Sequence, residues 1–305
     1  MVSKKKSLMD IPNERSSHAV PTPHGGGIAI AVAWCIGLVY LWLHDSVDDR
    51  LFWALMVGLI IAIVSFFDDL YELSAKTRLL VQVFAAALGL YLLGGLHEVS
   101  FGIFEIKNQA VTNLFALILI VWYINLFNFL DGINGYAGAE AVFLALAGFV
   151  LFGGEHFIVL GVAVLGFLFW NWNNAKIFMG DVGSTLLGYT IAIFTLHYAN
   201  IKSENLWIWI ALFAPFWLDA TVTLVRRKLN GEKLSQAHKK HAYQRLTQSG
   251  WSHYKVTNML CVVNIVVFTL IYLLPNKAIA FILTIILISA IMYYIETKKP
   301  FLSRK

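Results

Sequence analysis

Four aspartates give the first sign of chemistry in this sequence. Asp68 and Asp69 stand side by side after an apolar run, Asp131 follows another with Asn128 three residues before it, and Asp181 lies in FMGDVGS. An ionised Asp costs about 2.5–3.5 kcal/mol at the centre of a membrane helix and less near its end. Each acid also has a plain structural reading. Asp68 and Asp69 could mark a helix end at the interface. Adjacent carboxylates repel, however, so a cation or a proton must offset them. Asn128 and Asp131, at i and i+3, share a helix face. A glycine-stopped helix end explains Gly132, Gly135 and Gly138 but not two polar side chains at membrane depth. Asp181 could be the N-cap of a helix starting near Gly183. Four carboxylates at one interface, with few competing thiols, suit Mg2+ or Mn2+, which binds through one or two carboxylates plus phosphate.

His238 and His241 lie in the most basic segment, among Lys239, Lys240 and Arg245. Two histidines three apart suggest zinc, but no Cys or third His nearby completes a site. A basic, His-containing loop facing carboxylates reads better as a diphosphate clamp, while the lysines also fit a solvated cytoplasmic loop. Gly25, Gly26 and Gly27 precede an apolar run, where successive backbone N–H groups can meet an anion. No Gly-Lys-Ser/Thr follows, and a flexible helix lead-in fits equally well.

These residues need positioning elements, and the composition says which. Of 305 residues, 59% are hydrophobic and 13% charged. A soluble domain carries about a quarter charged residues. Ten apolar segments are candidate membrane helices: 25–44, 51–67, 78–96, 110–128, 136–153, 155–172, 183–199, 206–225, 256–274 and 277–295. The expected fold is therefore an all-α, polytopic transmembrane bundle forming a single domain over 1–305, since backbone groups in lipid must pair within the segment. Cys35 and Cys261 sit in apolar runs and suggest no disulfide framework. Lys4, Lys5 and Lys6 are followed by a polar stretch, so no cleavable signal is expected.

Ten spans place loops 1–24, 68–77, 129–135, 173–182 and 226–255 and both termini on one side. Counting Arg78 at the edge of the second of these loops, nineteen Lys and Arg fall there and four on the other, which makes that side cytoplasmic. The same asymmetry accounts for the net charge of +5 without a nucleic-acid partner. The acidic motifs played no part in this assignment, yet all fall on the cytoplasmic side.

The segments DIPNERSSHAVPTPHGGG, FFDDLYELSAKTRLLVQ, NFLDGINGYAGAEA, FMGDVGS and AHKKHAYQRL, in this order and spacing, resemble the polyprenyl-phosphate N-acetylhexosamine-1-phosphate transferases of glycosyltransferase family 4. That family includes the phospho-MurNAc-pentapeptide translocase and the enzymes that start O-antigen and enterobacterial common antigen synthesis. The wording is most similar to the O-antigen-initiating branch. The resemblance implies that Asp68 and Asp69 form the aspartate-rich motif. It makes Asn128, Asp131 and Asp181 the active-site cluster, with Asp181 the leading Mg2+ ligand. His238 and His241, with Arg245, are implied to contact the nucleotide sugar. The chain departs from the family at Asn134, where a second Asp is common, and at Glu72, where Asp or Asn is common. Relatives usually carry one more helix before the segment at Asp10, so that helix is expected to be absent here.

The implied reaction joins UDP-N-acetylhexosamine and undecaprenyl phosphate, releases UMP, and takes place at the bacterial inner membrane. The expected partners are those two substrates and the lipid bilayer, with a homodimer the candidate assembly. An ion-coupled carrier is the rival class. Carriers place their acids near the midplane, often on paired repeats, and this sequence shows neither feature.

Overall fold

The computed structural model describes residues 9–10, 21–71, 73–234, 236 and 238–301. Most of the Asp10–Gly27 segment, the basic residues Lys4, Lys5, Lys6 and Arg15, Glu72, and the tail residues Arg304 and Lys305 lie outside them.

The apolar segments form helices: α1 (Gly26–Leu43), α2 (Asp49–Met56), α3 (Gly58–Tyr71), α4 (Ala75–Leu93), α5 (Gln109–Leu130), α6 (Tyr136–Phe152), α7 (Glu155–Asn171), α8 (Gly180–Ile201), α9 (Glu204–Leu212), α10 (Ala214–Leu229), α12 (His253–Leu273) and α13 (Lys277–Lys298). The short α11 (Ala242–Gln248) lies between α10 and α12. Polar residues fix several starts: Ser74, Asn108, Ser252 and Asn276 each accept a first-turn N–H of α4, α5, α12 and α13. The β structure among the described residues is two short antiparallel ladders, Met9–Asp10 with Thr22–Pro23 and Val99–Ser100 with Glu105–Ile106, plus a bridge between His24 and Phe178.

Each expected segment falls on a helix, but the helices differ in what they face. Six are long and apolar enough to cross a membrane, α2 and α3 counting together as Asp49–Tyr71, and a seventh is added if α9 and α10, bent by 74°, make one span. This is fewer than the ten expected, for physical reasons. Helices α6 and α7 have 17 residues each, which at 1.5 Å per residue gives about 25 Å against a hydrocarbon core of about 30 Å. Helix α8 has the length, but Gly, Ser and Thr recur along it because it meets protein rather than lipid. Its residues from Val182 to Leu196 are all buried, packed by α1, α3 and α5. The α9–α10 bend comes at Phe213, just before Pro215 in the first turn of α10, where a residue lacking an N–H costs nothing.

Two close approaches set the packing around α8. A methyl group on Gly27 would lie 2.6 Å from Gly183 Cα, and one on Gly188 would lie 2.5 Å from the Tyr123 carbonyl oxygen. Only glycine lets α1 and α5 approach α8 so closely. A stack of rings then runs from this core toward α11: Phe213 on Phe127 at 5.2 Å, Tyr136 on Phe216 at 5.3 Å, and Tyr136 on Tyr243 at 4.8 Å.

Candidate active site

The end of α5 meets the start of α8. Asn128 Nδ2 donates to Asp181 Oδ1 at 2.8 Å and to Ser184 Oγ at 3.2 Å. Asp181 is therefore not the helix cap. It lies in the first turn of α8, after an N-cap at Met179 that makes no side-chain hydrogen bond, and its carboxylate turns toward α5. Asp131 is the C-cap of α5, with ψ near 50°, so it leaves the helical face it was expected to share with Asn128. Desolvation, then the neighbouring Asp181 and Asp69 carboxylates, push the Asp131 carboxyl well above the usual range.

The two adjacent aspartates of α3 separate because neighbouring helix positions point about 100° apart. Asp68 is buried, accepts the Leu73 N–H at 2.7 Å, and pairs with Arg78 at 2.9 Å. The same guanidinium stands 3.6 Å from Asp181 Oδ2. Arg78 is thus the cation that the paired aspartates require, and it ties α3, α4 and α8 together. Asp69 points elsewhere: a methyl group on Gly180 would come within 3.1 Å of its Oδ2, and Gly180 has φ +73°, so glycine is required there on two counts.

The histidine loop follows α10. Arg227, 2% exposed, gathers Glu232 and the carbonyls of Lys233, Leu234 and Gln236 around its guanidinium. Its five N–H donors fold the loop back on itself. The His238 and His241 rings lie with centroids 4.7 Å apart, tilted 41° to each other. Burial first, then the charges of His241 and Arg227, push the His238 imidazole down to about 3, so it is neutral near pH 7. Its Nδ1 accepts the Lys240 N–H at 3.2 Å, which puts the ring proton on Nε2. His238 can therefore donate one hydrogen bond to a phosphate, but it brings no charge.

A cavity of about 460 Å³ joins these parts. Its lining includes Arg78, Asn128, Asp181, His238 and His241. Asp68, Asp69 and Asp131 border residues of that end of the fold: Asp68 pairs with Arg78, Asp69 lies against Gly180, and Asp131 feels the charge of Asp181. Arg245 does not line the cavity. It is 4% exposed and donates to Glu296 of α13 at 2.7 Å and to the Lys299 carbonyl at 2.8 Å. The expected substrate-binding place of Arg245 is replaced by an anchor for the last helix, because Glu296 offers it a carboxylate. Nor do the N-terminal glycines present an anion site. The N–H groups of Gly26 and Gly27 are bonded to the carbonyls of Phe178 and Met179, both at 2.9 Å. Asn134 donates to the Asn173 carbonyl at 2.7 Å, away from the acidic cluster.

The sequence reading missed four contributors. Arg78 counted only as an orientation charge. Asp219, inside an apolar segment, accepts the Ala242 N–H at 2.7 Å and the Tyr243 N–H at 3.2 Å, and so begins α11. An acid within a membrane segment is the signal that could have found it. Gln82 and Asn125, hydrogen-bonded at 2.8 Å, add a polar floor to the cavity.

The donor set suits a hard divalent cation. Asp181 and the Asn128 amide oxygen are oxygen ligands side by side, and the Asp131 carboxyl lies close enough to Asp181 and Asp69 to feel both of their charges. Among the described residues no three His, Cys, Asp or Glu side chains form a ready cage. Mg2+ seldom uses one, since it keeps waters and takes substrate phosphates as ligands.

Comparison with known proteins covers the same elements. The family model described as glycosyl transferase family 4 matches residues 51–199. A probable undecaprenyl-phosphate N-acetylglucosaminyl 1-phosphate transferase of Bacillus subtilis strain 168 is 31% identical over 263 residues, covering 82% of this chain and 72% of that protein. A decaprenyl-phosphate N-acetylglucosaminephosphotransferase of Mycobacterium tuberculosis strain H37Rv is 31% identical over 301 residues, with 84% and 73% covered. An undecaprenyl-phosphate alpha-N-acetylglucosaminyl 1-phosphate transferase of Escherichia coli K12 is 28% identical over 283 residues, with 82% and 72% covered. The matched stretch runs from α2 into α8 and contains every aspartate of the acidic cluster, and with these identities over most of its length the chain belongs to glycosyl transferase family 4.

Proposed function

We propose that the protein transfers N-acetylhexosamine-1-phosphate from a UDP-sugar to undecaprenyl phosphate, releasing UMP, as the first membrane step of O-antigen or related cell-envelope polysaccharide synthesis. The names of its relatives favour N-acetylglucosamine as the sugar. The observation that carries this reading is the Asn128–Asp181 hydrogen bond, which closes segments far apart in the chain around one cavity that also receives His238 and His241.

In this reaction an oxygen of the lipid phosphate attacks the β-phosphorus of the UDP-sugar. The bond from that phosphorus to the bridging oxygen breaks, and UMP leaves with the electron pair. A phosphate monoester has its second pKa at about 6, so it is largely ionised near neutral pH and needs little help from a base. Asp69 or Asp68 takes any last proton or orients the acceptor. When bound, Mg2+ supplies charge neutralisation for the diphosphate and for UMP, and Asp181, Asn128 and Asp131 are the residues that would hold it. His238 Nε2–H and His241, which line the same cavity, grip the donor. The isoprenoid tail has apolar walls to lie against, from Ile61, Val64 and Leu79 to Leu224.

At the cytoplasmic face of the bacterial inner membrane, the side to which the excess of Lys and Arg assigns these loops, the site would meet nucleotide sugars where they are available. The test is a panel of UDP-N-acetylhexosamines given to purified protein with undecaprenyl phosphate and Mg2+. Lipid-linked product and UMP in equal amounts, with at least one sugar, is the expected result. Uptake of UDP-sugar into vesicles with no product would make the protein a carrier instead.

A further inference from the structure

Asp219 sits on α10 and is 3% exposed, buried among the helices. Burying a carboxylate in such a place is expensive unless it is fully engaged. Its partners are specific. Oδ1 accepts the Ala242 N–H at 2.7 Å, Oδ2 accepts the Tyr243 N–H at 3.2 Å, and Thr223 Oγ1 donates to Oδ1 at 3.2 Å. His241 Nδ1 faces Oδ1 at 3.6 Å. His241 itself lines the cavity, and with Nδ1 turned to Asp219 its ring presents Nε2 as the nitrogen for a ligand. The next residue but one extends the link. Tyr243 donates its hydroxyl to the Phe129 carbonyl at 3.2 Å, between Asn128 and Asp131 on α5.

We propose that Asp219 is a positioning residue for the nucleotide-sugar donor: from its buried place on α10 it fixes the start of α11 and the orientation of the His241 ring, and so aligns the histidine loop with the carboxylate end of α5. The proposal rests on the transferase reading above. The carboxylate meets three demands at once: Oδ1 takes the Ala242 N–H and faces His241 Nδ1, and Oδ2 takes the Tyr243 N–H. An amide offers one oxygen and an NH2 that opposes any N–H turned to it, so it can keep one acceptor for the start of α11 but not the charge that holds the ring.

The test is a double-mutant cycle with Asp219→Asn and His241→Gln, read as separate KM values for UDP-sugar and for undecaprenyl phosphate. Asp219→Asn keeps an acceptor for α11 and should raise the donor KM about tenfold with the acceptor KM unchanged, since loss of ground-state binding appears in KM. In the His241→Gln background the same change should alter donor KM less than about twofold, because the residue through which Asp219 acts is already gone. A donor effect that persists at full size in that background, or an equal rise in both KM values, overturns the proposal. If Asp219→Asn does not accumulate in the membrane, Thr223→Val replaces it in the cycle. A donor-specific KM rise absent from the His241→Gln background then supports the proposal, and an unchanged donor KM overturns it. Wild-type protein that forms no UMP would sink the transferase reading, a failure distinct from either of these.

Discussion

Asp131 shows how one residue can be costly to the fold and needed at the site. Its carboxyl is raised by desolvation and by Asp181 and Asp69, so its charged form is disfavoured in the folded protein. A raised folded value means that the folded state binds the proton more tightly than the unfolded one. The contribution to stability is then full below the unfolded value of about 3.9 and is lost as pH rises through the folded value. Asp131→Asn should remove that decline. In detergent without divalent cation the variant should melt no lower than wild type at pH 8, while turnover falls about 100-fold, the scale of removing one preorganised electrostatic group. Melting curves at pH 5 and pH 8 beside a UMP assay check both halves, and a variant that melts lower at pH 8 contradicts the assignment. At this scale the sequence was informative where an acid closed an apolar run, as at Asp68, Asp69, Asp131 and Asp181. Arg78 and Asp219 were not legible, because their roles depend on partners 10 to 103 residues away: Asp68 and Asp181 for Arg78, Ala242 and Tyr243 for Asp219.

Elements hold the site by close packing and by a few anchored ends. Helix α1 reaches α8 through Gly27 and Gly183, where a methyl group on Gly27 would lie 2.6 Å from Gly183 Cα. Gly27→Ala forces the two helices apart next to Met179 and Asp181. Overpacking of this kind costs about 1–3 kcal/mol, so the variant should show lower thermal stability and reduced turnover together; unchanged melting would contradict the contact. An anion cradle and a helix lead-in both fit the glycines at 25–27 as sequence, and neither implies that the N–H groups of Gly26 and Gly27 pair with the Phe178–Met179 backbone. Arg245 teaches the same lesson. A basic residue in a basic loop invites a phosphate, yet Glu296, fifty-one residues on, claims it. Arg245→Gln should therefore lower stability by about 1.5–3 kcal/mol, the range for hydrogen bonds to charged groups, and leave the donor KM within about twofold. A large donor KM effect at unchanged stability would return Arg245 to the substrate.

The whole molecule turns on a helix that lipid hardly touches. Helical class and the order of segments were legible, because apolar runs of this length have few other folds in a membrane. The boundary between lipid-facing and protein-facing helices was not. Helix α8 owes its Gly, Ser and Thr content to burial by α1, α3 and α5, and hydropathy alone cannot separate such a helix from a polar one. Around α8 the chain brings the ends of α3 and α5 and the start of α4 to one cavity, which the loop after α10 also lines. The most direct measurement is UMP release and lipid-linked product from UDP-N-acetylglucosamine, undecaprenyl phosphate and Mg2+, comparing wild type with Asp181→Asn. The account predicts one UMP per lipid product for wild type, and loss of both in an Asp181→Asn protein that inserts and melts like wild type. Asp181→Asn turning over at the wild-type rate would contradict it.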